Sequence, residues 1–260
     1  MTRCRLASAP LIAGLLIATC TLSRAGEPHA FIELFTSQGC SSCPAADKLL
    51  GELAADNSIV ALSVPIDYWD YLGWKDTLAS PAHSARQRAY ARVRGDREVY
   101  TPQIVVNGAV HVLGSDRAAI EQAITQTERN AAVMSVPVRL SVAGHNLTVK
   151  VGPAGGAPAA AEIWLCPLER AVPVAIGRGE NGGQTVTYHN VVRRWLKLSD
   201  WPSTASTWNI PLSEIATGGV NAAAVLVQEG TREKPGVILG AGIAVIGPQA
   251  ARDVPPVASH

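Results

Sequence analysis

The sequence predicts an α/β domain of order β-α-β-α-β-β-α followed by an all-β, sandwich-like domain. Three observations carry this. Between residue 31 and about residue 129, short β-rich runs alternate with runs of helical period. Asn107-Gly108, the strongest short hairpin signal, joins the last two strands of that half. Past about Asn130 the helical period disappears, and strand-sized segments recur between turn clusters. The expected divisions are residues 1–25 as a signal peptide, 26–132 as the α/β domain, 133–250 as the β-sandwich domain and 251–260 as a flexible tail. A chain of 260 residues, 47% hydrophobic and 17% charged, can bury a real core.

Residues 1–25 read as an export signal. Arg3 and Arg5 form a basic start, Leu11 to Ala18 an apolar run too short to span a bilayer, and Ser23-Arg24-Ala25 a small-residue cleavage site. Ile17-Ala18-Thr19-Cys20 loosely resembles a lipoprotein box, but Thr19 fits it poorly, so removal is expected rather than anchoring at Cys20. The leader holds Arg3, Arg5 and Arg24 and no acid, so 22 basic residues become 19 against 21 acidic ones. That near-neutral balance argues against a nucleic-acid partner. No stable membrane insertion is expected after cleavage. The location expected is periplasmic or secreted.

Residues 31–36 alternate as a strand. From Pro44 the period changes: Ala46, Leu49, Leu50, Leu53 and Ala54 share a helical face, with Asp47, Lys48 and Glu52 off it. Ser58 to Ile66 is a second strand, followed by the aromatic connection Asp67-Tyr-Trp-Asp-Tyr-Leu-Gly-Trp74. Ser80 caps a helix to about Val93, with Pro81 at its first position. Strands at 103–106 and 109–113 flank Asn107-Gly108, and Ser115 caps a last helix to about Arg129. Beyond it, strands are expected at 136–142, 147–151, 161–166, 172–176, 185–188, 207–210, 222–228 and 237–246.

The chemistry centres on Cys40-Ser-Ser-Cys43. C-x-x-C at a helix start lets the sulfurs bond, and the first-turn N–H groups can stabilise a thiolate. Cys40, the more exposed, would attack, and Cys43 would resolve. Ser41-Ser42 is uncharged and no Lys, Arg or His adjoins it, so nothing places the thiol within the roughly 3.5–7.5 range such sites span. Cys166 lies in an apolar run and reads as core filler. Thr101-Pro102, a proline just before a strand and after a β-α-β-α unit, stands where thioredoxin-like folds carry a cis-proline beside the dithiol. Its backbone would bind the substrate chain. Glu33 could relay a proton from the resolving thiol or pair with an Arg. Tyr68, Trp69, Tyr71 and Trp74 form a cluster in which Trp69 and Trp74 are candidate groove walls, although packing over a sheet end explains such a cluster as well. Arg86, Arg88, Arg92, Arg94 and Arg97 spread around their helix, as on a solvated surface. Gly177-Arg-Gly-Glu-Asn-Gly182 matches a dinucleotide fingerprint, but a strand follows where a helix is required, so it reads as a hairpin loop. No cofactor is expected, and the scattered histidines give no metal-ligand spacing.

Phe35-Thr-Ser-Gln-Gly-Cys-Ser-Ser-Cys-Pro44 with Ala46-Asp47 resembles the signature of an uncharacterised family of exported bacterial thioredoxin-like proteins, known as a secreted domain of unknown function. Asp67 to Asp76, Arg86 to Ala91, Val99 to Gln103, Arg178 to Asn181 and Asn190 to Arg193 look like it too. The resemblance implies a thioredoxin-like α/β domain followed by a β-rich one, and no settled substrate. Where that family has a second proline after Cys-Pro, this chain has Ala45. Where it has a histidine before Asp-Tyr-Trp-Asp, this chain has Pro65-Ile66, which weakens a metal role. The expectation is a thiol–disulfide oxidoreductase acting on a protein or small thiol/disulfide substrate. The alternatives are a redox-inactive binding module with a structural disulfide, or a copper chaperone.

Overall fold

In the computed structural model, which describes residues 27–155 and 160–246, the first strand is also the most deeply covered. β1 (Ala30–Thr36) is buried along its whole length, so both of its faces carry apolar partners. Ile32 and Leu34 pack with α1 (Cys43–Leu53) and α3 (Arg117–Thr127) through Leu49, Leu50, Ile120 and Ile124. Phe31 and Phe35, on the other face, meet Tyr90 of α2 (Pro81–Arg94). β2 (Ile59–Pro65) runs parallel to β1. β3 (Gln103–Val106) lies antiparallel to β1, and β4 (Val110–Leu113) antiparallel to β3. Asn107 and Gly108 have φ of 50° and 70°, as a two-residue hairpin of this sequence requires. The order β-α-β-α-β-β-α is therefore observed. One helix start differs. Asp116, not Ser115, caps α3, because its carboxylate is the one that reaches the Ala119 N–H, at 3.0 Å. Ser80 caps α2 as expected, accepting from the Ala82 N–H.

The second half divides between two sheets. β5 (Val138–Ala143), β6 (Asn146–Val151) and β10 (Ser206–Pro211) make a small antiparallel sheet. β7 (Ala161–Ala175), β8 (Thr185–Val192), β9 (Leu196–Asp200), β11 (Ala222–Thr231) and β12 (Lys234–Val245) join the first four strands instead. Among the described residues the large mixed sheet runs β12-β11-β7-β8-β2-β1-β3-β4, with β9 on β7. Its junction is β2 with β8, parallel at Ser63↔Val191. The Asn190 amide reinforces it by donating to the Ala61 carbonyl at 2.9 Å. The small sheet covers the β12-β11-β7 end, and Val138, Val149, Leu165 and Val225 share one apolar cluster there, as in sandwich packing. α4 (Leu212–Ile215) follows β10.

β7 unites two stretches that Pro167 and Pro173 separate in the sequence. It pairs with β11 from Ala161 to Leu168 and with β8 from Leu168 to Ala175. Pro173 thus falls where β8 has replaced β11 as the neighbour, and Pro167 sits at the changeover. β9 is not among the expected strands, since polar Lys197, Ser199 and Asp200 interrupt its apolar residues. The expected signal peptide and tail lie outside the described residues.

Candidate functional site

The site forms where β1 ends. Ser37-Gln38-Gly39 turns the chain, the Cys40 N–H donates to the Ser37 carbonyl at 3.2 Å, and the Cys43 N–H donates to the Cys40 carbonyl at 3.1 Å. Gly39 allows a close approach: a Cβ there would lie 3.1 Å from the Trp69 Cβ. Cys43 begins α1 behind Ser42, with Pro44 in its first turn. Cys40 and Cys43 are joined as a disulfide, with Cα atoms 5.4 Å apart. Cys40 keeps 5% of its surface exposed and Cys43 none, while Ser41 and Ser42 face solvent. The Ser42 hydroxyl lies 3.5 Å from the Cys40 sulfur.

Two distant segments clasp this turn. From the 177–183 loop between β7 and β8, the buried Asn181 amide donates to the Gln38 carbonyl at 3.0 Å and the Cys40 carbonyl at 2.9 Å. The Glu180 carboxylate accepts from the Ser41 N–H at 3.2 Å. From the connection between β2 and α2, Asp76 accepts from the Gln38 N–H at 2.8 Å, and Trp74 donates its indole N–H to Gln38 Oε1 at 2.8 Å. Trp74 also abuts the loop itself, its Cζ3 lying 2.9 Å from where a Gly177 Cβ would be. The glycine-rich stretch is therefore a hairpin loop, as its sequence indicates, and it serves the cysteine turn. Burial raises the Asp76 carboxyl above its ordinary value, against the pull of backbone N–H groups from Gln38, Leu78 and Ala79.

Trp69 joins the turn to the Thr101–Pro102 segment. Behind Gly39, it donates its indole N–H to Thr101 Oγ1 at 2.8 Å. The Thr101–Pro102 peptide is cis. Pro102 is buried, and its Cβ and that of Ala46 lie 3.0 and 3.2 Å from where a Gly114 Cβ would be. That puts the proline beside the second turn of α1. On its outer side Trp69 stacks on Tyr71, ring centroids 6.1 Å apart, and Tyr71 is 75% exposed. Cys40, Cys43, Thr101, Pro102, Trp69 and Trp74 are thus brought together. Trp74 serves as a brace, and Trp69 with Tyr71 as a surface.

Glu33 is not brought to them. Alternation along β1 turns it to the α2 face, where it accepts from Arg86 Nε at 2.5 Å and from the Tyr90 hydroxyl at 2.7 Å. Arg86 is correspondingly not a solvated surface residue: it is 6% exposed, lies over the Trp195 ring at 4.2 Å and donates to Gln228. Its position is forced by Glu33, a carboxylate that needs a cation once buried. Cys166 is a buried free thiol in the same cluster, and burial holds it firmly protonated.

Asp47 corrects the helical face drawn from the sequence. It is 1% exposed, because α1 packs on β8 as well as on β1, which widens the covered stripe. Neither of its oxygens has a hydrogen-bond partner among the described residues. Burial therefore raises its carboxyl well above the ordinary range, with a nearby Thr36 hydroxyl opposing in part and Asp76 adding to the rise. Gln38, Asp47, Asp76, Glu180 and Asn181 lie in stretches that carry the family resemblance, but sequence reasoning gave none of them a role at the site; that shared membership was the usable signal. Among the described residues no group of three or more His, Cys, Asp or Glu is placed to hold a metal ion.

Comparison with known proteins follows this geometry. The crystal structure of protein AGR_C_4864 from Agrobacterium tumefaciens is similar, with a TM-score of 0.77 and 30% identity, over 90% of this chain and 99% of that one. No curated protein matches the sequence. The model of the family described as "Protein of unknown function (DUF1223)" matches residues 31–228, a span that includes the cysteine turn, Thr101–Pro102 and the 177–183 clasp, and this chain belongs to that family.

Proposed function

We propose that this chain is an exported thiol–disulfide oxidoreductase of thioredoxin-like architecture. The observation that carries the reading is the Cys40–Cys43 bond at the start of α1, with Thr101–Pro102 and Trp69 alongside. The order β2-β1-β3-β4, with β1 and β2 parallel and the rest antiparallel, supports the thioredoxin-like assignment of residues 26–132. Residues 133–250 then supply the clasp. In the reducing direction, the Cys40 thiolate attacks a substrate disulfide and one substrate sulfur leaves with its electron pair. Cys43 then attacks Cys40, re-forming the internal bond and releasing the second substrate sulfur as thiolate. In the oxidising direction a substrate thiolate attacks Cys40 and Cys43 leaves. Attack falls on Cys40 because Cys43 is wholly buried, and the N-terminus of α1 stabilises either thiolate. An extended substrate would lie along the Thr101 backbone, against Trp69 and Tyr71. The substrate is a protein or small thiol/disulfide rather than nucleic acid.

Export rests on the basic, apolar and small-residue order of residues 1–25. No helix of the described residues is long and apolar enough to cross a membrane. A second reading, a binding module with a structural disulfide, draws on the 5% exposure of Cys40 and the clasp over its carbonyl. Redox titration decides between them. Equilibration at about −120 to −270 mV, with a mixed disulfide trapped by Cys43→Ala and none by Cys40→Ser, is the expected outcome. A potential below about −300 mV with no trapped partner would make the bond a staple. Fixed-stoichiometry metal binding by the reduced chain would favour a chaperone instead.

A further inference from the structure

Asp47 is a buried acid for which the fold offers no structural use. Glu33, the other fully buried carboxylate of this half, is bonded by Arg86 and Tyr90, yet Asp47 has two orphan oxygens. Its position is specific. It stands four residues after Cys43 on one helix, the spacing that stacks side chains on one face. Helical side chains lean toward the N-terminus, so its carboxyl leans toward Cys43. Both residues are at most 1% exposed, so water has little access to either. Titratable neighbours are Asp76 from the connection between β2 and α2 and Tyr188 from β8, neither of them a cation. The Thr36 hydroxyl closes the β1 side, near enough to the carboxyl to oppose its rise in part.

We propose that Asp47 is the proton-exchange group for Cys43, an inference that rests on the exchange reading above. In the disulfide state Asp47 is a neutral acid. When a substrate thiolate attacks Cys40 and the Cys40–Cys43 bond breaks, Cys43 leaves with the bonding pair and takes the Asp47 proton. In the reverse direction the Asp47 carboxylate removes the Cys43 proton as Cys43 attacks Cys40 and the substrate sulfur departs as thiolate. Burial keeps the acid protonated until the thiolate forms. Each group is neutral when its partner is charged, so two buried negative charges never coexist.

The test uses the mature chain, reduced, freed of reductant and mixed with one equivalent of 5,5′-dithiobis(2-nitrobenzoate). Attack by Cys40 releases one nitrothiobenzoate, and resolution by Cys43 releases the second. Asp47→Asn should leave the first release unchanged and slow the second by roughly 10²-fold near neutral pH. It should also remove one ionisation from the second step's pH profile. Equal second-step rates and profiles in Asp47→Asn and the wild type would overturn the inference. Absence of the first release from wild type would instead overturn the exchange reading itself, and the inference with it. If Asp47→Asn does not fold, Asp47→Glu decides: a second-step ionisation displaced from its wild-type value, with the first release unchanged, supports Asp47, and an unchanged second-step profile overturns it.

Discussion

At the scale of single residues, α1 and α2 each carry a buried group, and the two pull stability in opposite directions with pH. His83 is 1% exposed and hydrogen-bonded through Nδ1 to the Pro65 carbonyl at 2.8 Å. Burial, with Arg86 and Arg193 nearby, pushes its pKa down to about 4. Between the ordinary value near 6.5 and about 4, the unfolded chain binds a proton that the folded chain refuses. Stability should therefore fall by about 3 kcal/mol as pH drops through that window. Urea titrations at pH 7 and pH 4 should show the loss, and His83→Gln should remove this part of it. Asp47 has the opposite sign. Its carboxyl is raised, so the folded state holds the proton longer, and the stability it contributes at low pH is lost as pH climbs through the raised value.

At the scale of elements, α1 depends on a close contact with β8. A Cβ at Gly51 would lie 2.7 Å from the His189 imidazole. Gly51→Leu should cost about 1–3 kcal/mol by overpacking, and His189→Ala in the same chain should restore most of it, as urea unfolding would measure. This contact also explains what the sequence disclosed and what it hid. β3 was legible to the residue because Pro102 and Asn107-Gly108 bound it, and the cysteine pair and Thr101–Pro102 were legible because each is a local pattern. Asp47 was misplaced because one helical face was assumed, while β1 and β8 cover two. β7 was read as two strands because the change of partner along it, from β11 to β8, is not a local property. The roles of Gln38, Asp76 and Asn181 arise from hydrogen bonds between segments far apart in sequence, which no periodicity encodes.

At the scale of the molecule, the halves share a core. Phe31, Leu62 and Tyr90 lie in one buried cluster with Trp164, Leu226 and Ile238, and β2 is an edge until β8 pairs with it. Residues 26–132 made alone should lack a cooperative transition and self-associate, whereas the mature chain should melt in a single calorimetric transition. Two independent transitions in the mature chain would contradict the shared core. The Asn181 clasp carries a consequence for biosynthesis. Asn181 follows Cys40 by 141 residues, and at roughly 5–20 residues per second a ribosome adds them in about 7–28 s. Until then the bonds from Asn181 to the Gln38 and Cys40 carbonyls cannot form, so the geometry of the cysteine turn is completed only late in synthesis or after it.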